Sequence, residues 1–424
     1  MVLPRFAGIR AAAVRPCATP ADVVAALRDN DLPVAVRGGG HCFAGRSSTT
    51  GLVLDVGPMA GVEVDGDRAV VGAGTRLAEV YDTLAAHGRT IPAGCGPTVG
   101  IAGLTLGGGL GILGRRHGLT CDSLLAATLV LADGRVTEAD DELLWMLRGG
   151  GAPGVVTSLT FRTVPAPDST AFRLTFPADA AVDVLESWQQ AVPGLDEAFA
   201  PSLVVTAPAD PARPLVVAVF GAAPSPAAVS GLVTLIGGTT MSDAREHGTH
   251  RDTKRRLAGD DSPDTRFAYL HSEFFRSTVP AADLIGRLTA DRVPGEEREL
   301  DFSPWGGAYN RVPADATAFP HRDARFLLKQ TATVAPADRP GGWLDESYAI
   351  THPHGTGGAY PNFPEPGLPP ESYHLGNTDR LRRIRARHDP AGVFAPAPAH
   401  ARSSIMSMPS VPVSSTNGPT STNP

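Results

Sequence analysis

Between Ile91 and Gly118 the chain reads IPAGCGPTVGIAGLTLGGGLGILGRRHG, and this stretch limits the possible fold more than any other. Each glycine costs about 1 kcal/mol in a helix interior and gives a strand nothing to pack, so neither element is expected here. The expectation is irregular backbone laid against a ligand. A second glycine loop, RGGGH over 37–41, follows the apolar segment LPVAV. Glycine lets backbone N–H groups converge on an anion and lets the chain approach a flat ring. Two such loops suit opposite ends of one dinucleotide, and FAD has that shape.

A length of 424 residues fits about two domains. The net charge of -7, with no basic run interleaved with aromatics, argues against a nucleic-acid partner. No segment reaches the roughly 18 apolar residues of a membrane span and the opening shows no cleavable leader, so a cytoplasmic chain without membrane contact is expected. Four cysteines, Cys17, Cys42, Cys95 and Cys121, make no disulfide framework, and reduced thiols are expected. The Ser-, Thr-, Pro- and Asn-rich end is expected to be disordered from about Ser403.

Gly109, Gly111 and Gly114 satisfy G-x-G-x-x-G. A nicotinamide-binding domain also needs a buried strand before that fingerprint and a helix directly after it, and the flanking TVGIAGLTL and RRHGLTCDS supply neither. His41-Cys42 and His117-x-x-x-Cys121 lack the paired spacing of zinc ligands, so no metal site is expected. Nucleophile-elbow and Walker patterns are missing as well. TPADVVAALRDND reads as a helix capped by Thr19, and GVVTSLTFRTV as a long strand leading to a boundary at 162–167. RELDFSPWGGAYNRV and ARFLLKQTATVA read as later strands, and NTDRLRRIRARHDP as a closing basic helix.

These residues carry a resemblance. RGGGHCFAGRSS is similar to the R-[SG]-G-G-H loop of berberine-bridge-enzyme-like FAD-linked oxidases, within the vanillyl-alcohol-oxidase superfamily. AGCGPTVGIAGLTLGGGLGILGRRHGLTCD resembles that family's flavin-covering loop, and GGAYPNF with GNTDRLRRIRARHDPAGVF its C-terminal signature. The resemblance is to a bacterial-type member. It implies an α+β architecture: a PCMH-type FAD-binding domain over 1–165, an inserted substrate domain of antiparallel sheet backed by helices over 166–352, a segment over 353–402 that returns to the FAD domain, and the tail over 403–424.

The resemblance also implies site residues. His41 takes the position joined to the flavin 8α-methyl. Cys95 stands one residue before the position of the family's second, cysteinyl link, where Gly96 falls instead, so a single covalent bond is expected. Flavin contacts are expected from Arg37, Gly38, Gly39, Gly40, Ser47, Thr98, Val99, Gly100, Gly103, Gly107, Gly109, Gly111, Gly154, Val156, Asn362 and Asn377, with Val99 at the position that governs oxygen access. Leu104 replaces a common histidine, and GGGAPGVV the common GGGNFGVV. Tyr360 matches the base that takes a proton as hydride leaves the substrate carbon. Asn362 is expected on the same strand face as Tyr360, and Trp305, Tyr309 and Asn310 are candidate substrate contacts. The implied activity is oxidation of an alcohol, sugar or C–H group of a small natural product, with O2 as second substrate, in secondary metabolism. A non-redox cyclase of a polyketide or polyene and a non-catalytic flavin-binding protein are the alternatives; oligomeric state is open.

Overall fold

The computed structural model describes residues 2–28, 30–258 and 265–394; the expected disorder beyond Ser403 lies outside these. Short strands and tight turns build the N-terminal part. A three-stranded parallel sheet has Leu52–Asp55 at its centre, flanked by Ala13–Pro16 and Val34–Arg37. A five-stranded antiparallel sheet runs in the order Val62–Asp65, Arg68–Gly72, Gly154–Arg162, Leu124–Leu131, Val136–Glu138. Val71, Leu77, Leu84, Leu129, Leu159 and Phe161 close one core between these layers. The first helix, Pro20–Arg28, starts as expected: the Asp22 N–H donates to Thr19 Oγ1 at 3.3 Å while the Asp22 carboxylate takes the Thr19 N–H at 2.8 Å.

A seven-stranded antiparallel sheet follows, in the order Ser242–Gly248, Ser169–Phe176, Val216–Ala223, Ala200–Ala207, Glu297–Pro304, Phe326–Val334, Phe267–Phe275. Along Glu297–Pro304 burial alternates strictly, because one face packs on helices and the other does not. Helices Ala181–Ala191, Pro226–Ile236, Ala281–Thr289 and Trp343–Thr351 cover the apolar face, where Trp188 meets Phe302 and Phe326. The closing helix Thr378–His388 returns to the N-terminal part and packs Leu381 and Ile384 against Leu143, Trp145 and Met146.

Two sequence expectations are corrected. The strand drawn through RELDFSPWGGAYNRV ends at Pro304; Gly306 and Gly307 take φ of 93° and 59°, turning the chain into the short helix Ala308–Arg311. Within the glycine stretch, Ile101–Leu106 does form a helix, because burial of Ile101, Ala102 and Thr105 offsets the weak propensity of Gly103.

Three histidines are held neutral by the fold. Burial pushes His250 down to about 3, His321 to about 3 and His374 to about 4, against an ordinary 6.5. Between pH 6.5 and about 4 the unfolded chain therefore binds protons that the folded chain refuses, so stability falls as pH falls through that window. His250→Leu tests this, because neither ring nitrogen of His250 has a hydrogen-bond partner to lose. The variant should flatten the acid limb of melting temperature against pH by about one proton; an unchanged limb would count against it.

Candidate active site

The strand Val34–Arg37 delivers the first glycine loop, with Gly40 at φ 79°. Arg37 Nε donates to the Ser47 carbonyl at 3.1 Å and so braces the loop, leaving the buried Ser47 hydroxyl without a partner. His41 Nε2 is hydrogen-bonded to Thr98 Oγ1 at 3.1 Å, which ties the first loop to the second. The loops meet backbone to backbone: a Cβ on Gly39 would lie 2.4 Å from the Gly100 nitrogen, and one on Gly100 2.5 Å from the Gly39 nitrogen. Arg76 fixes the far side by donating to the Thr98 carbonyl at 3.0 Å.

From Gly94 to Val99 the second loop is partly open, while Ile91, Pro92, Ala93 and Gly100 on either side are buried. Lys254, on the helix His250–Leu257, reaches across from the seven-stranded unit and donates to Tyr81 Oη at 2.9 Å, to the Gly94 carbonyl at 3.1 Å and to the Ala93 carbonyl. Burial pushes this ammonium down to about 8, and burial pushes the Cys95 thiol up, with the Lys254 charge opposing. A raised thiol pKa leaves little thiolate at neutral pH. The partly open strip 94–99, the bare face at Gly103, where a Cβ would meet nothing within 4 Å, and the orphaned Ser47 hydroxyl fit an elongated polar cofactor such as FAD.

Other glycines expected at the flavin pack against the protein itself. A Cβ on Gly107 would strike Asn362 Oδ1 at 2.1 Å, one on Gly109 Thr120 Oγ1 at 2.3 Å, and one on Gly111 the Ala93 carbonyl at 2.3 Å. Gly114, which completes the G-x-G-x-x-G spacing, is needed because Tyr309 Oη occupies the space of its side chain. Gly154 lies against the Val130 carbonyl within the five-stranded sheet, and Val156 is buried in the core there.

Tyr360 and Asn362 meet, although on a turn and not on the expected strand: the Phe363 N–H donates to the Tyr360 carbonyl at 2.9 Å. Three donors converge on Tyr360 Oη, the Gly109 N–H at 3.0 Å, the Leu110 N–H at 3.1 Å and Asn362 Nδ2 at 3.1 Å. Asn362 Nδ2 also reaches the Leu104 carbonyl at 2.9 Å. Burial pushes the phenol's pKa up, and these three donors act against it. The cradle complements a phenolate better than a phenol, which has fewer lone pairs to offer.

The residues expected to contact the substrate lie at the seam between the two units. Trp305 and Tyr309 are 0% and 2% exposed, stacked on each other at 4.2 Å, and Tyr309 Oη donates to the Gly111 carbonyl at 3.2 Å. They pack one unit against the other. Asn310 spends its amide on the Ala324 carbonyl at 2.8 Å, and Asn377 on the Ala314 and Thr317 carbonyls at 2.8 and 3.0 Å.

Two features escaped the sequence reading. On the uncovered face of the large sheet, Lys329 Nζ lies 3.0 Å from Asp301 and 3.6 Å from Glu299, and 5.4 Å from the centre of the Phe363 ring. Burial opposes its charge, yet the two carboxylates hold it above the ordinary lysine range. Charges at alternate positions in RELDFSP were the available signal. The other is Arg115, 2% exposed, whose guanidinium donates to five carbonyls of the seven-stranded unit: Trp305 at 3.0 Å, Asp196 at 3.2 Å, Phe199 at 3.0 Å, Pro193 at 3.2 Å and Leu195 at 2.8 Å. Close by, Arg322 grips Asp122 through two bonds of 2.8 and 2.7 Å.

Residues 11–140 match the family described as FAD binding domain, and residues 359–398 the family described as berberine and berberine like. The FAD-linked oxidoreductase YgaK of Bacillus subtilis (strain 168) is 30% identical over 89% of this chain and 88% of its own length. Berberine bridge enzyme-like 5 of Arabidopsis thaliana is 26% identical over 88% of this chain and 80% of its own. Among solved structures, berberine bridge enzyme from Eschscholzia californica superposes with a TM-score of 0.83 at 22% identity, over 94% of this chain and 91% of that one. A chitooligosaccharide oxidase superposes with a TM-score of 0.79 at 22% identity, over 93% and 92%. Among the described residues no helix is long and apolar enough to cross a membrane.

Proposed function

The chain belongs to the berberine bridge enzyme-like family of FAD-linked oxidoreductases, and from that premise we propose that it is an oxidase of a small natural product, carrying its flavin covalently on His41. FAD held along the two glycine loops would supply the hydride acceptor for an alcohol, sugar or C–H group, with O2 as the final electron acceptor. Residues 1–165 with 353–402 form the cofactor-binding part, and 166–352 the part that covers the substrate.

The observation that carries the reading is the cradle of three donors around Tyr360 Oη, built from the second glycine loop and Asn362. These donors oppose the burial that holds the phenol's pKa up, and once deprotonated the oxygen they surround would receive the proton lost by the substrate. His41 is held at the tip of a loop braced by Arg37 and tied to Thr98, as a tether requires. Cys95, with its thiol pKa raised by burial, is poorly suited to a second link, and the single bond is favoured.

The test is the colour of acid-precipitated protein. The wild type should keep its yellow in the pellet, and His41→Ala should release it to the supernatant while Cys95→Ala leaves it in the pellet. Yellow in the supernatant of the wild type would remove the tether. Hydrogen peroxide formed in step with substrate loss supports the oxidase; substrate rearranged without peroxide supports a cyclase.

A further inference from the structure

We propose that a cavity between the N-terminal turn, the loop that follows His41 and the edge of the seven-stranded sheet binds the anionic end of the substrate, a carboxylate or phosphate on an apolar stem. The proposal rests on the flavin site lying along the two glycine loops. The cavity has a volume of about 130 Å³ and is walled by Arg5, Phe6, Phe43, Arg266, Ala268 and Thr333. That is roughly ten times what one water needs, enough for an acid group and part of its stem.

Its walls are built in. Pro4–Phe6 forms a single 3-10 turn whose Phe6 ring lies on Gly45 of the loop that carries His41. Gly45 sits at φ 68°, and a Cβ there would come within 2.6 Å of the Phe6 ring. On the other side the Arg5 guanidinium stacks 4.0 Å from the centre of the Tyr269 ring, and Arg339 donates to Tyr269 Oη at 2.7 Å. Burial pushes the Arg5 guanidinium below its ordinary range, and the Arg339 charge acts in the same direction. Arg266 enters from the sheet edge, 3.4 Å from Glu297.

A partly buried guanidinium held over an aromatic ring and lining a cavity is arranged to take an oxyanion with little loss of rotamer freedom. The phenyl walls take the stem. Phe43 connects this cavity to the reaction site: its ring is edge-on to Phe363 at 5.8 Å, and Phe363 is edge-on to Tyr360 at 5.0 Å. An acid anchored at Arg5 therefore extends toward Tyr360.

The experiment is isothermal titration of the flavin-loaded full chain with phenylacetate, phenyl phosphate and the neutral phenylacetamide. At least one anion should bind about tenfold or more tighter than the amide, and the tighter of the two identifies the head group. Arg5→Gln should abolish that preference, and Arg266→Gln should reduce it. Equal binding of acids and amide, or a preference that survives Arg5→Gln, overturns the proposal. Flavin reduced by substrate in a protein without anion preference would sink this inference alone; anion preference in a protein whose flavin no substrate reduces would sink the oxidase alone.

Discussion

Tyr360→Phe is expected to slow anaerobic bleaching of the flavin by about 100-fold or more while the protein keeps its yellow colour. The substrate for the measurement is whichever compound bleaches the wild type fastest in a screen of alcohols, aldoses and aromatic acids. The effect follows from where the proton goes. Tyr360 Oη sits under three N–H donors, and removing that oxygen removes the proposed proton acceptor without disturbing His41 or the first loop. The same change strands the buried N–H of Gly109, at a cost of about 1–3 kcal/mol, and the partly buried N–H of Leu110. Melting temperature is therefore read alongside the rate. Asn362→Leu, which withdraws one donor and keeps the phenol, should produce a smaller loss and move the rate's dependence on pH upward. Wild-type bleaching in Tyr360→Phe would take the base role away from this residue.

Arg115→Met should destabilise the protein by at least about 3 kcal/mol in denaturant unfolding. Five carbonyls lose their donor at once, those of Trp305 and Phe199 buried and the other three partly buried, and methionine fills the volume without replacing any of them. Arg115→Lys should rescue little, because a lysine ammonium has three donors on one point and cannot span carbonyls set around a planar fork. A surface change such as Arg135→Met, on a residue whose side chain is 60% exposed, provides the baseline. A shift for Arg115→Met no larger than that baseline would mean the five bonds contribute nothing net.

Local chemistry was legible in the sequence and distant chemistry was not. The RGGGH turn, the Thr19 cap and the closing basic helix could be read because the residues that justify them are neighbours in the chain. Gly107, Gly109 and Gly111 were read as making room for a cofactor, and the fold packs Asn362, Thr120 and Ala93 against them. Spacing cannot reveal partners that arrive from elsewhere in the fold. Trp305 and Tyr309 were misplaced because β-propensity carried the strand through two glycines whose positive φ turns the chain. Arg115 and Lys329 went unnoticed because charged residues are ordinarily exposed, and nothing local marks the exceptions.

The cradle at Tyr360 Oη joins residues 251 positions apart. A ribosome making the chain from its N-terminus completes Gly109 and Leu110 long before their acceptor exists, and the whole seven-stranded sheet is synthesised in between. During that interval the N–H groups of Gly109 and Leu110 lack their acceptor, and the ordering of this part of the second glycine loop is deferred until the C-terminal segment emerges. Maturation of the reaction centre is thus a late event in the life of the nascent polypeptide, and a chain truncated before residue 360 would have both glycine loops and still lack the atom on which they converge.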